Sequence, residues 1–285
     1  MGSGGTTSKR IDGLGDAVKR SARRHVHTGG VSSTQLQIAL SGALPALVAM
    51  WLVDRLDAKR PEPASLRRKV AFFGALCVVP AIVLEALLSN HVGVNLDPEF
   101  TYQGASFKAF VVAAGVEEAC KMFVVYWIVW RRPEFDERMD GIVYACRAGL
   151  GFALVENVMY LLFLAPTVGD QLTMWILRAL LAVPGHAMWT GMIGGMAARR
   201  RFDRAGLGLF GGYLLAVAFH GAYDLALFVQ QPLQLEGHAE LATAMFAVPI
   251  ALTLAAFFVL RGMARNALRL DDADAARVVI TRGES

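Results

Sequence analysis

Two glutamates and a lysine interrupt the apolar run KAFVVAAGVEEACKMFVVYWIVWRR: Glu117, Glu118 and Lys121. Lys121 follows Glu117 by four residues and Glu118 by three, so one face of a helix brings its ammonium to either carboxylate. Further on, Glu156 stands in GFALVENVMY with Asn157 beside it and Tyr160 four residues later. His186 follows a Pro-Gly in AVPGHAMWTGMIGG, and His220 and Asp224 lie four apart in VAFHGAYDLAL. Carboxylates and histidines together are the groups of hydrolysis. Cutting a peptide needs an activated water, an acid for the leaving amine, and donors or a metal for the oxyanion. Glu118 or Glu117 can serve as base, and His186 and His220 can bind a metal or supply protons. Asp224 can orient the His220 ring, and Lys121 can hold one carboxylate ionised.

The elements that must position these groups are apolar. The chain has 285 residues, 55% hydrophobic and only 18% charged, with a mean hydropathy of +0.44; an ordinary soluble domain carries about 25% charged residues. A membrane span needs about 20 mostly apolar residues. Seven segments qualify, roughly 36–53, 70–88, 107–130, 141–164, 172–198, 206–229 and 241–260. The expected fold class is therefore all-α, a polytopic transmembrane helical bundle of about seven spans. Residues 1–35, rich in Gly, Ser and Thr and basic, read as a disordered tail with no signal-peptide cleavage site. Residues 36–262 form the membrane-embedded body and 263–285 a C-terminal tail. A net charge of +4 with no Lys/Arg cluster interleaved with aromatics argues against nucleic acid. Cys77, Cys120 and Cys146 fall in apolar runs without CxxC spacing, and three is an odd number, so they read as small core residues.

Lys and Arg orient the bundle. They crowd the loops 54–69, 131–140 and 199–205 and the C-terminal tail, and are absent from SNHVGVNLDPEFTYQGAS, APTVGDQ and QQPLQLEGHAE. The alternation puts the C-terminus in the cytoplasm. Lys9, Arg10, Lys19, Arg20, Arg23 and Arg24 disagree, because seven spans place the N-terminus outside. Counted along spans of that orientation at 1.5 Å per residue, Glu117, Glu156, His186 and His220 fall roughly 12–21 Å below the outer boundary. One slab of membrane thus collects them from four helices.

A charge at that depth costs a few kcal/mol. Each residue has a bland reading: a buried Glu–Lys pair, a packed His, Asn157 and Tyr160 as helix glue, and Gly149, Gly151, Gly191, Gly194 and Gly195 as close-packing positions. Arg147 can snorkel to the cytoplasmic end, and Glu85 and Arg178, nearer the outer side, read as snorkelling or paired. The conjunction at one depth favours a site. Two other classes compete with an enzyme. An ion- or proton-coupled transporter would show inverted repeats or broken helices; no repeat is visible, and Pro184-Gly185 is the one interior break near the site. A non-catalytic scaffold or immunity-type protein would have no need of the intact carboxylate and histidine set.

GVEEACK, DGIVYACRAGLGFALVENVMY, LRALLAVPGHAMWTGMIGG and FHGAYD resemble, in that order, the motifs of the PrsW family of intramembrane proteases. The resemblance runs from about Leu44, through DRLDAKRPEP, to about Phe228. The family is distantly similar to the CAAX prenyl proteases, which share a paired-glutamate motif and downstream histidines. The resemblance implies a bacterial cytoplasmic-membrane endopeptidase. Its substrate would be a membrane-anchored, single-pass protein cut near the outer side, with an anti-sigma factor of a stress response as the family's known example. It carries over Glu117, Glu118 and Lys121, then Glu156 with Asn157 and Tyr160, then His186, then His220 with Asp224. Four carboxylates against Lys121 favour a divalent cation such as Zn2+ on His186, His220 and Glu118, whereas the CAAX likeness favours a metal-free glutamate. No HExxH helix is present, so any ligands come from separate spans.

Overall fold

Ser32 accepts the Gln35 amide and the Gln35 side chain returns to the Ser32 amide, a capping box that starts α1 (Ser33–Ser41). The computed structural model describes residues 31–92 and 101–283, so the basic residues from Lys9 to Arg24 lie outside the described part. Next come α2 (Leu44–Leu56), α3 (Ala64–Leu76), α4 (Val78–Val92) and α5 (Tyr102–Phe107). A π-helical turn (Lys108–Ala113) joins α5 to α6 (Ala114–Ile128). The long α7 (Arg138–Phe163) is succeeded by α8 (Val168–Leu177), a second π-helical turn (Arg178–Ala182) and α9 (Val183–Asp203). The chain ends in α10 (Gly208–Phe228), α11 (Gln230–Leu235), α12 (Ala239–Ala244) and α13 (Ala247–Gly283).

The fold is an all-α polytopic bundle. Among the described residues, six rods are long and apolar enough to cross a membrane: Ser33–Leu56, Ala64–Asn90, Arg138–Phe163, Val168–Asp203, Gly208–Leu235 and Ala239–Arg277. The segment expected to span at 107–130 lies in a further rod, helical from Tyr102 to Ile128, whose apolar character is broken by Lys108, Glu117, Glu118 and Lys121. Trp51, Phe72, Phe123, Trp127, Phe210 and Phe258 are exposed around the bundle, as side chains facing lipid would be.

Helix α7 runs through the middle, and small residues let its neighbours touch its backbone. A Cβ at Gly141 would lie 2.6 Å from the Gly194 carbonyl oxygen, and one at Gly149 would lie 2.4 Å from that of His186 and 2.8 Å from Thr190 Oγ1. The crossing at Gly149 fixes the height of His186 against Glu156, one helix away. Gly149→Ala is therefore expected to cost about 1–3 kcal/mol as an overpacked contact and to lower activity with it. Thermal unfolding in detergent checks this; an unchanged midpoint would show that the crossing is loose.

The arginine-rich segments meet at one end of the bundle. Arg60 donates to Glu137 at 2.5 Å and Asp272 at 2.9 Å, and Arg138 to Asp203, Asp271 and Asp274. Arg67 and Arg147 share Asp54. At the opposite end Gln35 donates to the Pro166 carbonyl, Gln171 to those of Gln35 and Leu161, and Tyr102 to Glu236. Helix α13 runs on through the segment read as a tail, with Asp271 buried against Arg138.

Candidate active site

Both helices that open the site start after a widened turn. The Ala114 amide bonds the Ala109 carbonyl and the Val183 amide bonds the Arg178 carbonyl, five residues back instead of four. Pro184 accounts for the second turn: it has no N–H, and its ring would crowd the carbonyl four residues earlier. Pro184-Gly185 therefore does not break the rod; the π turn absorbs it and α9 continues. One extra residue rotates the helix before the turn by about 100° relative to the helix after it, so sequence spacing across it misstates which residues share a face.

Lys121 is at the centre, fully buried. An ammonium has three N–H groups and no lone pair. Those of Lys121 go to Glu117 Oε2 at 3.0 Å, Glu118 Oε1 at 2.9 Å and His186 Nδ1 at 2.9 Å. His186 Nδ1 is then an acceptor, and its proton sits on Nε2, which donates to Glu156 Oε2 at 2.7 Å. Glu118 accepts again from Thr190 Oγ1 at 2.9 Å and pairs with His220 Nδ1 at 3.0 Å. The second nitrogen of His220 faces Asp224 Oδ2 at 3.4 Å and Glu117 Oε2 at 3.9 Å. Glu117, Glu118, Lys121, Glu156, His186, His220 and Asp224 thus form one connected group drawn from α6, α7, α9 and α10.

Three residues not singled out by motif complete it. Arg178, set by the second π turn, donates to Glu156 Oε2 and Asn157 Oδ1, both at 2.6 Å, and lies 4.0 Å over the Tyr160 ring. Asn157 in turn donates to the Gly42 carbonyl. Arg178 gives the four carboxylates two cations rather than the one that the sequence count allowed. Thr190 and Trp189 lie four and three residues beyond His186, on its own face of α9. Trp189 stacks on His220 with centroids 4.3 Å apart and planes at 16°. Glu85 joins none of these bonds among the described residues.

A cation would find a matching donor set here. Glu117, His186 and His220 are buried, and each offers a ligand atom within 4.8 Å of the others. Both histidines have one nitrogen on a carboxylate, Glu156 or Glu118, and the other directed towards Glu117 Oε2 at 3.9 Å. That is how metal-binding histidines are oriented, and two imidazoles with a carboxylate suit zinc. Glu118 is engaged otherwise, by Lys121, Thr190 and His220, so the carboxylate that faces both rings is Glu117. One condition attaches: His186 Nδ1 cannot accept from Lys121 and ligate a metal at once.

Residues 62–261 match the PrsW family of intramembrane metalloproteases. The protein called Protease PrsW of Geobacillus kaustophilus is 32% identical over 193 residues, 67% of this chain and 80% of that one. Its namesake in Oceanobacillus iheyensis is 32% identical over 196 residues, 67% and 83% of the two chains. That of Bacillus subtilis is 29% identical over 196 residues, 67% and 82%. No solved structure matches. With the family matched across most of the chain, the apolar rods around it and the buried carboxylate–histidine group inside, the chain belongs to the PrsW family of intramembrane metalloproteases, integral membrane peptidases.

Proposed function

We propose that the chain cuts a membrane-anchored, single-pass protein within the membrane, towards the face of the Arg-free loops, and that this face is extracytoplasmic, with the C-terminus in the cytoplasm. The convergence of Glu117, His186 and His220 from three helices carries the reading. Glu117, His186 and His220 would hold a zinc-class ion, which as a Lewis acid activates water and polarises the scissile carbonyl. Glu118 and Glu156 orient the two rings. Lys121 and Arg178 offset the buried negative charge, and Arg178, itself held by Asn157, also fixes Glu156 directly. Asp224, the carboxylate 3.4 Å from His220 Nε2, would pass a proton to the leaving amine.

A second reading rests on one observation: the Lys121 ammonium already sits 2.9–3.0 Å from Glu117 and His186, among the atoms a metal would need. In that case Lys121 is the cation of the site, Glu117 is the base, and the histidines carry protons and donate to the oxyanion. An anti-sigma factor is the substrate suggested by the family resemblance. Mass spectrometry of membranes with and without the protein is expected to show a truncated single-pass protein whose new end maps to the outer half of its span. A new end in the inner half would overturn the sidedness, and no truncated product under any growth or stress condition would overturn the activity.

A further inference from the structure

DRLDAKRPEP, the stretch between the first two rods, takes no part in the site above. The structure gives three carboxylates in and near it a separate arrangement at the arginine-rich end. Asp57, which ends α2, Glu62, which precedes α3, and Asp140, in the first turn of α7, bring carboxylate oxygens within 4.8 Å of one another. They are 2%, 8% and 1% exposed. Neither oxygen of Asp57 accepts a hydrogen bond, and nor does Asp140 Oδ1; all three are buried atoms, and each of the two residues brings one carboxylate oxygen to the cluster. The other Asp140 oxygen caps α7, taking the amides of Asp136 and Glu137, and Glu62 accepts from the Tyr144 hydroxyl.

Cations are near, and the Arg60 charge is felt at Asp57 with its Nη2 left without a partner, but their ion pairs go to other carboxylates. Arg60 donates to Glu137 and Asp272, Arg138 to Asp203, Asp271 and Asp274, and Arg67 and Arg147 hold Asp54. No ion pair to Asp57, Glu62 or Asp140 exists among the described residues. A buried carboxylate with both oxygens bare is costly, and burial, with Glu62 and Glu137 close by, pushes the Asp57 carboxyl up to about 7. An all-oxygen, all-carboxylate donor set with no imidazole or thiol is the preference of a hard divalent cation.

We propose that Asp57, Glu62 and Asp140 bind a hard divalent cation of the magnesium–calcium class, which ties the loop between the first two rods to the N-terminal end of α7. The site is distinct from the His-containing group, and α7 joins the two, carrying Asp140 at one end and Glu156 towards the other.

The test uses full-length protein in detergent, treated with EDTA and then titrated with Mg2+, Ca2+ or Mn2+. The thermal midpoint is expected to rise saturably by several degrees. Mn2+ electron paramagnetic resonance should count one bound ion per chain in the His186→Ala variant, where the His-containing group cannot hold one, and none when Asp57→Asn is added. Asp57→Asn is the informative change because Asp57 makes no hydrogen bond to lose. It should weaken Mn2+ binding by at least about tenfold and abolish the rise while leaving the EDTA midpoint at or above that of the unchanged protein. Glu62→Gln, which keeps an acceptor for Tyr144, should act alike. If no divalent cation shifts the midpoint, or if Asp57→Asn responds as the unchanged protein does, the proposal fails. A rise in the EDTA midpoint of Asp57→Asn with no cation response in the unchanged protein would mean that the trio shares protons instead.

Discussion

Glu117→Gln is expected to lose cleavage by at least about a thousandfold, the upper range for an acid–base group, while the protein still inserts at near-normal levels. The amide keeps the volume of the side chain and an oxygen that can accept from Lys121. It loses the anion, and with it the ability to take a proton or to serve as a charged ligand. Glu117 is the carboxylate that faces both His186 and His220 at 3.9 Å, so both readings of the chemistry pass through it. Elemental analysis of active, detergent-purified protein separates them. Near-stoichiometric zinc that is lost in Glu117→Gln and His186→Ala supports the metal reading. Full activity in metal-stripped protein leaves Glu117 as base with Lys121 as the resident cation. Normal cleavage by Glu117→Gln would refute both.

Lys121→Met should have the largest effect on stability. Its ammonium is buried with no exposed surface and binds two carboxylates and an imidazole. A methionine of similar length fills the space but leaves Glu117 and Glu118 as buried charges without their partner. Breaking one side of a buried pair costs about 3–5 kcal/mol, so membrane abundance and the thermal midpoint should fall together with cleavage. Lys121→Arg is not expected to rescue, because a planar guanidinium does not match three acceptors around one nitrogen. A Lys121→Met protein with an unchanged midpoint would show that the carboxylates are neutral in the native state and that Lys121 is no counter-ion.

The features legible in the amino-acid sequence are local ones. The apolar runs depend on composition, and the bundle class and the rods can be read directly from them. The contacts of Lys121 with Glu117 and Glu118 result from helical spacing, because residues three and four apart share a face whatever the surroundings. Thr190 is legible in the same way, one turn beyond His186. Rotation about each helix axis, by contrast, is set by packing between helices. Adjacent Glu117 and Glu118 are equivalent in spacing, and nothing local says that Glu118 turns to Thr190 and His220 Nδ1 while Glu117 faces both rings. Arg178 opens a π turn, and that extra residue rotates it onto Glu156, whereas composition reads it as a charge near the membrane boundary. The Asp57, Glu62 and Asp140 cluster is a still longer-range event: two of its members flank one loop and the third caps a helix far along the chain. Their meeting depends on how the rods pack, through contacts such as those at Gly141 and Gly149, where the missing side chains let backbones approach closely enough to set the geometry.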